Sequence, residues 1–319
     1  MSLARVARIA LPGHPPEGGF DHAAVDSRTS RLYVAHTSND AVDVVDLEGR
    51  RFLQSIPNLA GVAGVWVAEN ERRLFTSNRA EDTVSIIDLD TTKETFRVPT
   101  GSRPNGMAFD PGRGVLLVAG VGNPEIPGAP PTLTFVDTAR GRVIDQLLAP
   151  GRTRWATYHP ATDSFYVNIA DPPTIAEVKA SDTGRLGRLI RVPAKGPHGL
   201  EQDPGGTLLY CACDEGVLVT VELPSGRAER VGALAGAPDV LWLNLKRHHL
   251  YCAVEDPGVI HVFGLAPCRL LETVTTARGA GTLTLDPARN EIHSFCPDSH
   301  EDIVLRDLEA VSLLGGASR

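Results

Sequence analysis

Short apolar segments alternate with polar turns along the whole chain, and one kind of segment keeps returning. "RLYVAH" at 31, "RLFTSN" at 73, "VLLVAG" at 115, "SFYVNI" at 164, "LLYCAC" at 208, "HLYCAV" at 249 and "EIHSFC" at 291 are versions of a single strand. Their spacing of roughly 40–50 residues is that of a four-stranded propeller blade. A preceding strand closes in a tight turn, as in "MAFDPGRG", "TYHPATDS", "LEQDPGGT" and "LTLDPARN", where Asp or His is followed by Pro and then Gly, Asn or Ser. After each copy comes an alternating, β-branched segment, such as "AVDVVDL", "TVSIIDL", "TLTFVDT" and "VLVTVEL". Period-two patterning of this kind predicts a third strand. A fourth ends near glycine in "TFRVPTG", "DQLLAPG", "LIRVPAKG" and "ETVTTARG".

Seven units are present, but the last stops after "DIVLRDL", and the chain opens with "LARVARIALPG", a fourth strand lacking a unit. The two fragments complement each other. The pattern therefore predicts an all-β, seven-bladed propeller forming one domain over 1–319, with residues 3–13 completing the C-terminal blade and removing two exposed sheet edges. The stretch "GNPEIPGAPPT" at 122–132 is the best candidate for a linker between two separate β-domains. Because the repeat stays in phase on both sides of it, it reads as a long loop between the second and third strands of the third blade, placed to act as a lid or rim.

Composition narrows the function classes. A chain of 319 residues that is 42% hydrophobic can bury a large core. Its net charge of −8 argues against a nucleic-acid-binding surface over the whole molecule. No apolar run approaches the ~18–20 residues that span a bilayer, and the opening apolar stretch is too short and too Arg-interrupted for a secretory signal. A cytoplasmic protein with no membrane partner is expected. Cys211, Cys213, Cys252, Cys268 and Cys296 are odd in number and mostly strand-borne, which fits small buried reduced thiols.

The combination of "LYVA" with "DAVDVVDL" resembles the YVTN-type seven-bladed propellers over essentially the whole chain. Within that group, "EGGFDH", "RLFTSNRAEDTVSIID", "FYVNIAD" and "GVLVTVE" look like segments of the bacterial YncE-like proteins, many described only as propellers or as lactonase-like. The resemblance implies the architecture far more firmly than the chemistry, because activity resides in sites grafted onto a fold.

In a propeller the loops entering the innermost strands meet around the central channel. The positions just before each first strand are Asp21 and His22, then Ala63, Asn105, Arg154, His198, Asp239 and Gly281. Five blades thus bring a polar or charged group to the channel mouth. In a catalytic reading, His22 or His198 serves as base and Arg154 stabilises developing negative charge. Phe20, Asp21 and Trp155 form the substrate-binding wall. His22, Asn105, His198 and Asp239 form a candidate set of metal ligands: imidazole with carboxylate suits zinc or manganese, and amide and carboxylate oxygens suit calcium. A similar channel arrangement in six-bladed gluconolactonase-like enzymes, with a different blade number, is a loose analogy for Asn105 and Asp239. No motif for an organic cofactor is present, nor any HExxH, CxxC or GxSxG.

The expected function is a small-molecule enzyme, a lactonase-like hydrolase or a lyase, taking its substrate at the top face. The alternative is a non-enzymatic propeller that binds a ligand or a protein partner, its polar mouth simply hydrating the channel. "CAC" at 211–213 reads as blade packing and "KRHH" at 246–249 as solvated turn on the opposite face. The acids between second and third strands, Asp40, Glu81, Asp82, Asp171, Asp214, Glu255, Asp256, Asp298, Glu301 and Asp302, read as a soluble rim.

Overall fold

The computed structural model describes residues 3–16, 18–203 and 205–308. Both ends of the 1–319 span, and Pro204 of the "DPGG" turn, lie outside the described residues. Seven four-stranded antiparallel sheets stand around one axis. Six are consecutive meanders, beginning with the inner strands Ala23–Asp26, Val62–Ala68, Pro104–Asp110, Thr153–His159, Pro197–Gln202 and Pro238–Asn244. The seventh combines Leu283–Asp286, Glu291–Cys296 and Glu301–Asp307 with the N-terminal strand Leu3–Ala10, which pairs antiparallel with Glu301–Asp307. All seven recurring segments are the second strands of their blades. The closing strand is shorter than the expected 3–13, because Pro12 has no N–H to continue the ladder. Leu11 instead donates to the His300 carbonyl at 2.8 Å.

The core is seven apolar layers between neighbouring blades. Tyr33 and Val44 of the first blade pack against Val62, Val65 and Leu74 of the second, all buried. Second and third strands are covered on both faces, hence their near-continuous apolar runs; the outermost strands, such as Arg142–Leu148, are largely exposed.

Two devices position the channel mouth. First, five of the seven inner strands begin with a register shift, between Val62 and Val65, Pro104 and Met107, Thr153 and Ala156, Pro197 and Gly199, and Pro238 and Leu241. A bulge re-aims the side chains within it, and here it holds Ala63, Asn105, Arg154, His198 and Asp239. Second, neighbouring inner strands approach closely: a Cβ on Gly106 would stand 2.5 Å from the Arg154 carbonyl oxygen, and one on Gly199 2.9 Å from that of Asp239.

Several rim acids prove to be braces. Asp40 accepts from the Gly61 amide and Asp82 from the Arg103 amide, both at 2.7 Å, tying each blade to the strand that enters the next. Asp302 is fully buried 2.6 Å from His293, which corrects its placement on a solvated rim. His249 of "KRHH" likewise lies 2.6 Å from buried Asp307, joining the sixth blade to the seventh. All five cysteines are free, with Cys211 and Cys213 sulfurs 3.8 Å apart in a buried layer. Among the described residues no helix is long and apolar enough to cross a membrane.

Candidate functional site at the channel mouth

His198 lies between two carboxylates from different blades. Its Nδ1 is 2.7 Å from Asp214 Oδ1, and its Nε2 is 3.1 Å from Asp239 Oδ1. Asn168, on the second strand of the preceding blade (Ser164–Ile169), donates to the backbone carbonyls of His198 and Gly199 at 3.0 Å each and fixes the strand that carries the ring. Burial disfavours the charged imidazole, but the bonds to Asp214 and Asp239 outweigh it and raise the pKa to about 9. At neutral pH His198 is an imidazolium. Asp239 answers in the opposite sense: burial pushes its carboxyl up, yet His198 more than offsets this and holds it below the ordinary range.

His22 is placed differently. Buried, it stacks on Trp155 with ring centroids 3.9 Å apart and planes at 29°. Its Nε2 lies 3.4 Å from Asp21 Oδ1. Burial is the largest influence and lowers its pKa, so this ring is neutral near pH 7. Burial also raises the pKa of Asp21, whose other oxygen faces Arg79 Nη2 at 3.4 Å. Arg154 completes the chain, its Nη2 3.4 Å from Asp214 Oδ2, and Asp239 acts electrostatically on His22, His198, Asp21 and Arg154 alike.

Of the residues expected from the sequence, Asp21, His22, Arg154, Trp155, His198 and Asp239 form one connected group. Phe20 stands to one side, tilted against His36 at 4.4 Å and Phe295 at 5.8 Å, and lines with Asp239 a pocket of about 140 Å³. Asn105 reaches the mouth through its bulge without a bond to the group; its buried Oδ1 has no partner. Arg79 Nε and Arg154 Nε are also buried without partners. Unused donors on two guanidiniums suit an anionic oxygen arriving with a ligand.

Sequence reasoning missed Arg79 and misread Asp214 as rim. The available signal was positional: Arg79 directly follows the second strand Arg73–Asn78, and Asp214 the second strand Leu208–Cys213, where a short loop turns inward. The loop at 122–131 closes on itself through the Asn123 amide and the Ala129 carbonyl at 2.8 Å. With Arg103 and Arg152 it encloses a hollow of about 650 Å³ beside the mouth.

The proposed metal set does not fit a cation as placed. Both His198 nitrogens face carboxylates, Asp214 at 2.7 Å and Asp239 at 3.1 Å, whereas a metal ligand needs a free lone pair. Among the described residues no group of three or more His, Cys, Asp or Glu is arranged to hold a metal ion.

Blades, bulged inner strands and a charged mouth define the class: a seven-bladed β-propeller with a polar channel entrance. Comparison with protein-family models and with curated proteins gives no match. Solved structures do match, 1697 chains in all, and a fold alone does not carry an activity. One is hydrazine synthase of Kuenenia stuttgartiensis, with a TM-score of 0.80 and 16% identity over 92% of this chain and 97% of that one. At that identity the likeness establishes the propeller fold and nothing finer.

Proposed function

We propose that the channel mouth is the active site of an acid–base enzyme acting on a small anionic ester or lactone, with His22 as base and His198 as acid. One arrangement carries this reading: two histidines share the field of Asp239 at a single mouth, one stacked on Trp155, where burial lowers its pKa, and the other bonded between Asp214 and Asp239, which raise its pKa to about 9. Environments that push two titratable groups apart are how acid and base roles are divided at one pH. His22 takes a proton from water, whose oxygen forms a bond to the substrate carbonyl carbon. Arg154 and Arg79, whose side chains are only partly buried, hold the substrate anion and the developing oxyanion through their guanidinium groups. The carbon–oxygen bond to the leaving group then breaks as the leaving oxygen displaces Asp239 from His198 Nε2 and takes its proton.

The same pair would serve a lyase, with His22 removing a carbon-bound proton and His198 protonating the departing group. No step is routed through a metal. The YVTN-type strand patterning supports a place among the YncE-like propellers, and the five free cysteines support a reducing, cytoplasmic setting.

The test is turnover of a panel of lactones, carboxylate-bearing esters and β-hydroxy acids by the wild type, His22→Asn and His198→Gln. The reading predicts at least one substrate whose kcat falls about 100-fold or more in each variant, in line with acid–base contributions, and whose turnover survives EDTA. A wild type inert toward the whole panel, but binding one of these anions at the mouth, would favour the non-enzymatic binding propeller.

A further inference from the structure

Residues of the inner strands line a further cavity of about 240 Å³. The chain contains three tryptophans, and all three, Trp66, Trp155 and Trp242, line it. Glu201 is the one ionisable side chain among the lining residues. Among the described residues its carboxylate has no cationic partner and bonds to the neighbouring Gln202 amide at 3.3 Å, and burial raises its pKa to about 8. Three further polar atoms of its lining residues are buried without partners among the described residues: the indole Nε1 of Trp155, that of Trp242, and Oε1 of Gln202. Gln202 is itself oriented, its Nε2 donating to the Tyr158 carbonyl at 2.6 Å.

An isolated carboxyl in an aromatic shaft costs free energy, and the matching position of the other inner strands holds Ala24, Trp66, Ala108, Thr157, Trp242 or Thr284, none of them an acid. Its place is explained by an incoming charge. Indole rings attract cations through their quadrupole, an attraction that strengthens once water is excluded. A carboxylate beside them neutralises the cation, while the two indole N–H groups offer donors to an oxygen on the same ligand.

We propose that this cavity, lined by Trp66, Trp155, Trp242 and Glu201, binds a small alkylammonium cation that carries an oxygen acceptor, of the size of an amino alcohol or a betaine. The site meets the acid–base pair above it at Trp155, which stacks on His22, and it stands whether or not that pair is catalytic. Binding needs Glu201 ionised, so uptake of the cation near pH 7 releases a proton.

Choline, ethanolamine and glycine betaine are titrated into the intact protein by calorimetry in buffers of different ionisation enthalpy and by tryptophan fluorescence, with 3,3-dimethyl-1-butanol as the neutral isostere of choline. At least one cation should bind saturably, quench or shift the fluorescence, release close to one proton at pH 7 and bind at least 10-fold more tightly than the neutral isostere. Glu201→Gln should abolish the proton release and weaken binding at least 10-fold; Trp66→Leu and Trp242→Leu should each weaken it. Glu201→Gln should also melt at the same or a higher temperature at pH 8, showing that lost binding is not lost folding. Absence of saturable binding by all three cations, or equal binding of the neutral isostere, would overturn the proposal.

Discussion

Asp239 decides the character of the mouth. Its carboxylate contacts the imidazolium of His198 and adds negative potential at His22, so replacing it disturbs both histidines. For stability the signs differ. His198 has a folded pKa raised to about 9, so its contribution is complete below the unfolded value near 6.5 and is lost as pH rises through about 9. His22 has a lowered pKa, so its contribution is present above about 6.5 and is lost as pH falls below that value. The same ionisations predict a bell-shaped kcat/KM, rising as His22 loses its proton and falling near pH 9. In His198→Gln the alkaline limb should vanish along with most of the rate. That substitution leaves Asp214 and Asp239 facing each other; since each is about one-third exposed, the cost to stability is about 1–2 kcal/mol rather than that of a fully buried pair. Calorimetry across pH 5–10 checks both effects.

Strands and their bulges do the positioning. Asn168 reaches across from the preceding blade to hold the backbone at His198 and Gly199, so Asn168→Ala removes two bonds from an inner strand while touching no substrate. Loss of stability of about 1–3 kcal/mol is expected, with kcat falling more than KM rises. Wild-type kcat in that variant would show that the brace is merely structural. The closing strand Leu3–Ala10 buries Leu3 and Ile9 and supplies the outer edge of the seventh blade. Removing residues 1–10 should lower the melting temperature by about 10 °C, at the ~2–4 °C per kcal/mol typical of larger domains, and promote association through the freed edge.

Strand patterning made the blades legible because β-branched alternation and turn chemistry repeat with each unit, and a repeat averages out local ambiguity. The same regularity exposed the entry positions that carry His22, Arg154, His198 and Asp239. It was blind to partners. Nothing in a period-two pattern distinguishes Asp214, bonded to His198, from Asp82, which caps a backbone amide, although both sit in the same inter-strand loop of their blades. Nor does it mark Glu201, which occupies an ordinary strand position and becomes unusual only when the ring sets it among three tryptophans. These facts arise from closure of the circle, not from any one unit.

Taken as a whole, the molecule is a ring whose repeated parts are neutral layers and whose unrepeated parts meet at the axis. Residues 21 and 239 are 218 positions apart in the chain, yet Asp239 acts on the charge of Asp21 because ring closure turns the entry points of the first and sixth blades toward one axis. The protonation states that this convergence imposes therefore decide the chemistry of the mouth. The most direct test is a histidine side-chain ¹⁵N NMR titration of the intact protein, with His22→Asn and His198→Gln samples to assign the two rings. The account predicts that His198 carries protons on both ring nitrogens at pH 7 and titrates near 9, while His22 stays neutral at pH 7 and titrates below 6.5. A neutral His198 at pH 7, or a protonated His22, would contradict it.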